Sequence, residues 1–302
     1  MSTSILIPGS GKGAPTLHAA VKGRSLWDDA RRRLFRNKAA VASMIVLALL
    51  VVAAIVGPHL TAYRYDEINK DDVWLGPLQN GHFIGTDSLG RDLLARLLMG
   101  LRVSLAIGLI ATFVSLVIGV AWGAVAGFAG GRLDELMMRF VDVLYSLPFI
   151  FFVILLMVTF GSNIILIFVA IGAVEWLTMS RIVRGQTLTL KQKEFVEAAR
   201  AAGLSQGGII TRHIVPNLLG PVVVYVTLTI PAVILAESFL SFLGLGVQPP
   251  MASLGTLIAN GAQDMELAPW LLVFPSLVMV VTLMSFNFIG DGLRDAIDPK
   301  DR

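Results

Sequence analysis

Long apolar runs constrain this chain more than any other feature. A helix that crosses about 30 Å of hydrocarbon at about 1.5 Å per residue needs roughly 17 to 25 apolar residues. Five runs reach that length, at residues 39–56, 103–128, 144–160, 218–243 and 269–289. Only 15% of the residues are charged, against roughly 25% in soluble domains. We therefore predict an all-α integral membrane protein.

A sixth candidate span, at residues 164–179, is less clear. Its apolar stretch ends at Glu175 after about 11 residues, a length that also fits a re-entrant or buried helix. The loop that follows carries the cations Arg181, Arg184, Lys191, Lys193, Arg200 and Arg212. Because cytoplasmic loops hold the excess of Lys and Arg, we expect this segment to cross. That gives six spans with both termini in the cytoplasm.

The charge distribution supports this topology. The predicted inner segments hold 19 of the 24 Lys and Arg residues, and the outer segments hold 5. We accordingly divide the chain into a cytoplasmic tail (1–38), a first span (39–56), an external loop with an amphipathic helix (57–102), a core of five further spans (103–289) that includes a cytoplasmic loop (180–217), and a cytoplasmic C-terminal tail (290–302).

The long inner loop contains a predicted short helix at residues 194–202. Its small residues Ala198, Ala199 and Ala202 let the surface of another protein approach the backbone, and Gly203 ends it in the manner of a C-cap glycine. Flanking basic residues are suited to orient such a contact electrostatically. The same pattern also fits an ordinary amphipathic connector, so the helix by itself leaves both alternatives open.

The surroundings of this helix make a family resemblance specific. The loop resembles the EAA loop of ATP-binding-cassette (ABC) importer permeases at Glu197, Ala198, Ala199, Gly203, Ile214 and Pro216. GTDSLGRDLLAR at 85–96 and FIGDGLRDAIDPKDR at 288–302 resemble segments of peptide and nickel permeases. RSLWDDARRRLFRNKAAVAS at 24–43 resembles the N-terminal segment of the C-type oligopeptide permeases. The resemblance runs from about residue 24 to the end of the chain.

This resemblance implies a MetI-like permease fold and half of a pathway for oligopeptides across the bacterial inner membrane. In that family the EAA-loop helix sits in a groove of an ATP-binding subunit, which implies a coupling role for the six matching residues. The implied partners are a homologous second permease subunit, two ATP-binding subunits and an extracytoplasmic peptide-binding protein. A permease for dipeptides or nickel in the same family is the alternative.

Two features inside the apolar runs are further candidate sites. Small residues at four-residue spacing form a stripe on one face of the second span, and they are Ser115, Gly119, Gly123 and Gly127. Such a stripe suits close helix packing, either within the chain or against a partner subunit. In the fifth predicted span, at residues 218–243, Glu237 and Pro231 are candidates for a pathway or gate, because intramembrane acids are usually functional. Glu237 lies near the outer end of its run, so a structural or interfacial role is the alternative.

A polar motif precedes the second span. Its candidate residues are Gly85, Thr86, Asp87, Gly90, Arg91 and Asp92. They fit a turn in which Asp87 or Ser88 caps a helix that begins near Leu89. The alternative is that they contact the binding protein that delivers substrate.

Several kinds of chemistry are excluded or disfavoured. The chain has no cysteine, which excludes disulfides and thiol-ligated metals. PGSGKG at 8–13 lacks the spacing and the Ser or Thr of a phosphate-binding loop. We therefore expect no cofactor on this chain, with ATP and Mg²⁺ bound by partner subunits. We also predict no metal site and no catalytic residue, because the histidines lack ligand spacing and paired intramembrane carboxylates are missing. A secondary transporter, which would favour charged groups at the membrane midplane, is the alternative from a different class.

Overall fold

The membrane environment explains why helices dominate the structure. Lipid offers no hydrogen bonds to backbone groups, so a spanning segment must satisfy them internally. The computed structural model describes residues 26–161 and 163–297, and it confirms the all-helical fold class for those ranges. Most of the predicted N-terminal tail, including the segment 8–13, and the last five residues lie outside the described residues.

The described chain contains eleven α-helices. They are α1 (Leu26–Arg36), α2 (Lys38–Leu60), α3 (Leu93–Ala129), α4 (Gly131–Ser146), α5 (Phe149–Phe160), α6 (Ile164–Leu190), α7 (Glu194–Ala201), α8 (Gln206–Ile209), α9 (Val215–Phe242), α10 (Leu254–Gln263) and α11 (Trp270–Ile297). A 3₁₀ turn lies at Lys70–Asp72, and a π-helical turn at Ile210–Ile214 joins α8 to α9.

Five of these helices are long and apolar enough to cross a membrane: α2, α3, α6, α9 with the turns before it, and α11. The predicted short span at 164–179 is the first part of α6, which continues to Leu190. Helices α4 and α5 pass the same test only together, and they are bent by 79° at their junction. The described helices therefore supply five spans, or six when the bent pair is counted as one.

Two predicted boundaries are wrong. The run 144–160 is not one helix, because Pro148 disfavours helical backbone at the residue before it. Leu147 is accordingly extended, with φ −75° and ψ 128°, and α5 begins only after Pro148. The range 57–102 holds no separate amphipathic helix, since its Gly, Pro, Asn and Asp residues favour turns. It contains the end of α2, the 3₁₀ turn and the start of α3.

The small-residue stripe of α3 packs directly against α6. A Cβ atom added at Gly119 would lie 2.6 Å from Cβ of Met179, and one at Gly123 would touch the carbonyl oxygen of Ser180. One at Gly127 would lie 2.8 Å from the carbonyl oxygen of Arg184. The two backbones therefore meet where side chains are missing. The stripe, with the fully buried Ser115, is covered inside this chain and is not open to a partner subunit.

Helix α3 separates two ends of the molecule. Its 37 residues span about 55 Å at about 1.5 Å per residue. Near its start, Gly100 lies against Ser253, which caps α10. Near its end, Phe128 lies beneath Arg200 of α7. We refer to these as the α10 end and the α7 end.

Gly123→Ala tests the close contact between α3 and α6. The added methyl group would collide with the Ser180 carbonyl and lie 2.8 Å from Cβ of Val183. We expect it to lower the free energy of unfolding by about 1–3 kcal/mol, measured as a lower thermal midpoint in detergent. Gly185→Ala on α6 is the control, because its added Cβ meets nothing within 4 Å. Equal midpoints for the two variants would contradict the close packing.

Candidate functional site

Helix α7 carries the residues predicted to couple this chain to a partner. It begins after Lys193 and ends at Ala201, and Gly203 follows with φ +79°. The left-handed backbone at Gly203 lets its N–H donate to the Arg200 carbonyl at 2.9 Å, and it turns the chain away from the helix axis. The predicted helix and its glycine stop are confirmed, with the helix one residue shorter than expected.

The two faces of α7 differ sharply. Val196 is fully buried and Ala199 is 6% exposed, so one face is held in the core. The opposite face exposes Glu197, Ala198 and the ring of Phe195, which is 37% exposed. An apolar ring and a small side chain facing outward on a loop helix form a compact knob suited to a protein groove.

The predicted coupling residues separate into two groups. Glu197, Ala198, Gly203 and Pro216 are exposed, whereas Ala199 and Ile214 are buried. The buried pair belongs to one apolar cluster with residues of α3, α6, α7, α8 and α9, namely Ala124, Phe128, Met179, Val183, Val196, Ile209, Leu218 and Val222. This cluster ties α7 to the ends of the spanning helices.

Four of the six loop cations bind within this chain. Their partners are Asp142 for Arg181, Asp134 for Arg184, the Gly127 carbonyl for Lys191 and the Phe128 ring for Arg200. That these charges also orient an external contact stays a prediction. The partners of Arg184, Lys191 and Arg200 tie the region of α6 and α7 to α3 and α4.

Glu237 is the buried acid of the α10 end. It is 0% exposed and lies where α3, α9 and α10 meet. The hydroxyls of Ser241 and Ser253 each donate to Oε1 at 2.6 Å, and the hydroxyl of Ser104 donates to Oε2 at 3.5 Å. Three donors in place of water meet the requirement that a buried polar group be hydrogen-bonded.

Two of these serines connect Glu237 to the first turn of α10. The Ser104 hydroxyl accepts from the Leu254 N–H at 3.0 Å, and the Ser253 hydroxyl accepts from the Thr256 N–H at 3.1 Å. The carboxyl group also lies close to the helix N-terminus, which favours negative charge. Glu237 thus anchors α10 to α3 and α9. In this conformation it does not line a pathway, and Pro231 is likewise buried.

The polar motif before α3 forms a turn, and its cap differs from the predicted one. Asp87 accepts backbone N–H groups from Leu89 at 2.9 Å and Arg91 at 3.0 Å, and it pairs with Arg91 and Arg96. Asp92, not Asp87 or Ser88, caps the helix by accepting from Ala95 N at 2.7 Å. A helix from Leu89 is wrong because Gly90, at φ +72°, interrupts it.

Most of that motif is buried by its own segment. A Cβ atom at Gly85 would lie 2.6 Å from the Leu75 carbonyl oxygen, and one at Gly90 would overlap the Asn69 carbonyl. Thr86 is fully buried, and its hydroxyl accepts from the Leu75 N–H at 2.8 Å. These contacts favour the turn-forming role over contact with a binding protein.

Sequence reasoning missed His82, which is 2% exposed. Its Nδ1 lies 2.8 Å from Oδ2 of Asp92, and its ring stacks on Tyr63 with centroids 4.3 Å apart. Asp72 lies on the other side of the ring, with its Oδ2 3.6 Å from Nε2. Asp72, His82 and Asp92 are ten positions apart along an irregular segment, so no local sequence pattern indicates that they meet. Within the described ranges, no group of His, Asp and Glu is arranged to hold a metal ion.

Comparison with known proteins identifies the family. Residues 119–302 match the model of the binding-protein-dependent transport system inner membrane component, and residues 25–77 match the N-terminal transmembrane domain of oligopeptide transport permease C. The oligopeptide transport system permease protein OppC of Escherichia coli K12 is 57% identical over 93% of this chain and 94% of that protein. The chain belongs to the OppC group of binding-protein-dependent transport permeases.

Two further proteins are less similar to this OppC-type permease in sequence. The dipeptide transport system permease protein DppC of Bacillus subtilis is 44% identical over 92% of this chain and 87% of that protein. An inward-facing structure of the MetNI methionine ABC transporter matches with a TM-score of 0.55 at 19% identity, covering 67% of this chain and 96% of that one. The structural match confirms the MetI-like fold.

Replacing Glu237 tests the anchoring of α10 in this permease. Glu237→Leu would leave three hydroxyl groups without their acceptor, and an unsatisfied buried group costs about 1–3 kcal/mol. Since the chain has no cysteine, Leu257→Cys on α10 supplies a single buried reporter thiol. We expect Glu237→Leu to speed its reaction with maleimide roughly tenfold, which corresponds to about 1.4 kcal/mol.

Two controls accompany this measurement. Glu237→Gln keeps an oxygen for Ser241 and Ser253, so we expect a smaller acceleration than with Leu. Glu266→Gln removes an exposed carboxyl group just beyond α10 and should have no effect. An unchanged labelling rate in Glu237→Leu would refute the anchoring role.

Proposed function

We propose that this permease forms half of the membrane pathway of an ABC importer for oligopeptides and is coupled to ATP-binding subunits through α7. One observation carries the proposal. α7 is rooted by Val196 and Ala199 in the cluster that joins α3, α6 and α9, while Phe195, Glu197 and Ala198 project from it. A helix with one anchored face and one projecting face is suited to transmit a displacement that another protein imposes on it.

The packing of the helices links a displacement of α7 to transport. Packed helices move as bodies, because an interior at crystal-like density does not stretch. In this scheme ATP binding closes the partner ATPases, which displaces α7 and the cluster beneath it. The paired membrane subunits then open outward and accept peptide. Hydrolysis returns the pathway to its inward-facing state.

We further propose that the α7 end faces the cytoplasm, with both termini on that side. This orientation leaves 19 of the 24 Lys and Arg residues inside, as the positive-inside rule requires. It also puts α10 and the segment 61–92 outside, on the side from which a binding protein would deliver peptide.

The proposal includes partners. A homologous second permease subunit would complete the pathway, two ATP-binding subunits would supply ATP and Mg²⁺ sites, and an extracytoplasmic peptide-binding protein would deliver substrate. The apolar helix faces support the first of these or lipid contact, since Phe113 is 64% exposed and Phe239 51% exposed. Charge-free surfaces of this kind are expected against lipid or another span.

Oligopeptides are the substrates best supported by similarity. The OppC relatives from Haemophilus influenzae and Escherichia coli are 56% and 57% identical to this chain. The OppC and DppC relatives from Bacillus subtilis are 43% and 44% identical, so both kinds of permease occur at that lower level. Dipeptides are therefore the second candidate. Membership of a binding-protein-dependent family decides against the secondary-transporter alternative.

Uptake of labelled peptides tests the whole proposal. The complete complex, reconstituted in liposomes, should import peptides longer than two residues only when ATP and the ATP-binding subunits are present. Import driven by an ion gradient without those subunits would overturn the ABC mechanism. Preference for dipeptides over a graded series of longer peptides would overturn the oligopeptide assignment and favour the second candidate.

Gly203→Asp tests the coupling role of α7. A side chain at φ +79° is strained, at a cost of about 1–3 kcal/mol, and the new charge would lie beside the projecting knob. We expect ATP-driven uptake to fall at least about tenfold, because misplacing a coupling contact costs roughly 1–3 kcal/mol. Gly207→Asp in the same loop is the control, since Gly207 lacks positive φ and its added Cβ meets nothing within 4 Å.

Insertion and topology are checked in the same variants. A cysteine placed at the exposed Ala201 should react with an impermeant maleimide only after the membrane is opened. Reaction in intact cells would contradict the cytoplasmic orientation. Wild-type uptake by a correctly inserted Gly203→Asp variant would contradict the coupling role.

A further inference from the structure

Two consecutive glycines join α3 to α4 at the α7 end. Gly130 has φ +68° and Gly131 has φ +58°, a conformation that side chains disfavour. A Cβ atom at Gly131 would meet nothing within 4 Å, so space as well as backbone freedom is present there. Hinges are commonly a few residues at the end of a helix that absorb changes in φ and ψ. This junction has the form of a pivot for α4.

A single ion pair restrains α4 close to that pivot. Asp134 lies in the first turn of α4 and is 7% exposed. It accepts two hydrogen bonds from Arg184 of α6, from Nε at 2.6 Å and from Nη2 at 2.8 Å. A guanidinium group bound through two parallel hydrogen bonds fixes orientation as well as distance.

The apolar cluster described between α4 and α6 holds the later part of α4. Val141 is buried against Trp176 and Leu177 of α6, with Trp122 of α3 beside them. The Trp122 side chain also donates to the Met137 carbonyl at 3.3 Å. Among the described contacts of the first turn, the Asp134–Arg184 pair is therefore the one that links it to α6.

The same stretch of α6 leads into α7. Arg184 is followed by the last turns of α6 and then by residues 191–193, after which α7 begins. Val183, beside Arg184, is fully buried in the cluster that also holds Val196 of α7. A displacement of α7 therefore carries the Arg184 region with it.

We propose that Asp134 and Arg184 are positioning residues for coupling, which make α4 follow α6 when α7 is displaced. The two-glycine pivot permits α4 to turn, and the ion pair sets the direction in which it turns. This inference rests on the proposed function, because it assumes that partner subunits displace α7. It adds a defined route from α7 to α4, the first half of the bent pair α4–α5.

A second ion pair between the same helices provides a matched control. Arg181 of α6 donates one hydrogen bond to Asp142 of α4 at 2.8 Å, with side chains 40% and 61% exposed. Exposed single-bond pairs contribute little, about 0–1 kcal/mol. Asp142→Asn therefore removes a carboxylate from the same helix but keeps the ion pair that restrains α4 near the two-glycine pivot.

The experiment uses the complete transporter reconstituted in liposomes and measures ATP hydrolysed per peptide imported. We expect Asp134→Asn and Arg184→Gln each to raise this ratio about fivefold or more, because α7 would still respond to ATP while α4 no longer followed. Asp142→Asn should stay within about twofold of wild type, as expected for an exposed pair. The exchange of both partners, Asp134→Arg with Arg184→Asp, should restore much of the coupling.

The outcomes separate this inference from the proposed function. If wild-type complex shows no ATP-dependent uptake, the proposed function fails. If wild type transports and an assembled Asp134→Asn or Arg184→Gln variant keeps the wild-type ratio, the positioning role is overturned. If those variants do not assemble, Arg184→Lys replaces them, since it keeps the charge but loses the two-bond geometry, and an unchanged ratio in that variant overturns the role equally.

Discussion

The close contact between the backbones of α3 and α6 is the constraint on which the rest of the molecule depends. Gly119, Gly123 and Gly127 leave no side chain between the two helices, so α6 lies directly on α3. In lipid, where apolar surfaces gain little by leaving the solvent, such van der Waals contact is a main source of helix association. This contact brings Arg184 and the residues that lead into α7 to the end of α3.

Different interactions stabilise the two ends of the α3–α6 pair. At the α10 end, a fully buried carboxyl group and three serines join three helices through a closed hydrogen-bond network. At the α7 end, partly exposed cations of α6, α7 and the link between them bind a buried carboxylate, a carbonyl and an aromatic ring. Burial makes the first arrangement rigid. Partly exposed cations and a glycine pivot leave the second more able to rearrange, which suits the proposed coupling to partner subunits.

The spans and α7 could be predicted because both leave local signals. Apolar runs mark the spans, and a helix-forming segment followed by Gly203 marks α7. The break at Pro148 was missed because apolar content on either side of it is continuous, so hydropathy alone fused two helices. Ser241 lies four residues from Glu237 on the same helix, which is a local spacing. Ser104 could not be predicted as a partner, since it is 133 residues from Glu237, and the partners of His82 could not be predicted because His82 sits in an irregular segment. For the loop cations, positive charge indicated topology but carried no information about Asp134 or Phe128 as partners.

The projecting face of α7 has a consequence for the life of the subunit before assembly. Phe195 keeps 37% of its surface exposed, and Ala198 is exposed beside it. A copy made in excess would therefore leave this partly apolar face open to unintended contacts. The surface proposed for coupling is therefore also a reason for the subunit to be made together with its partners.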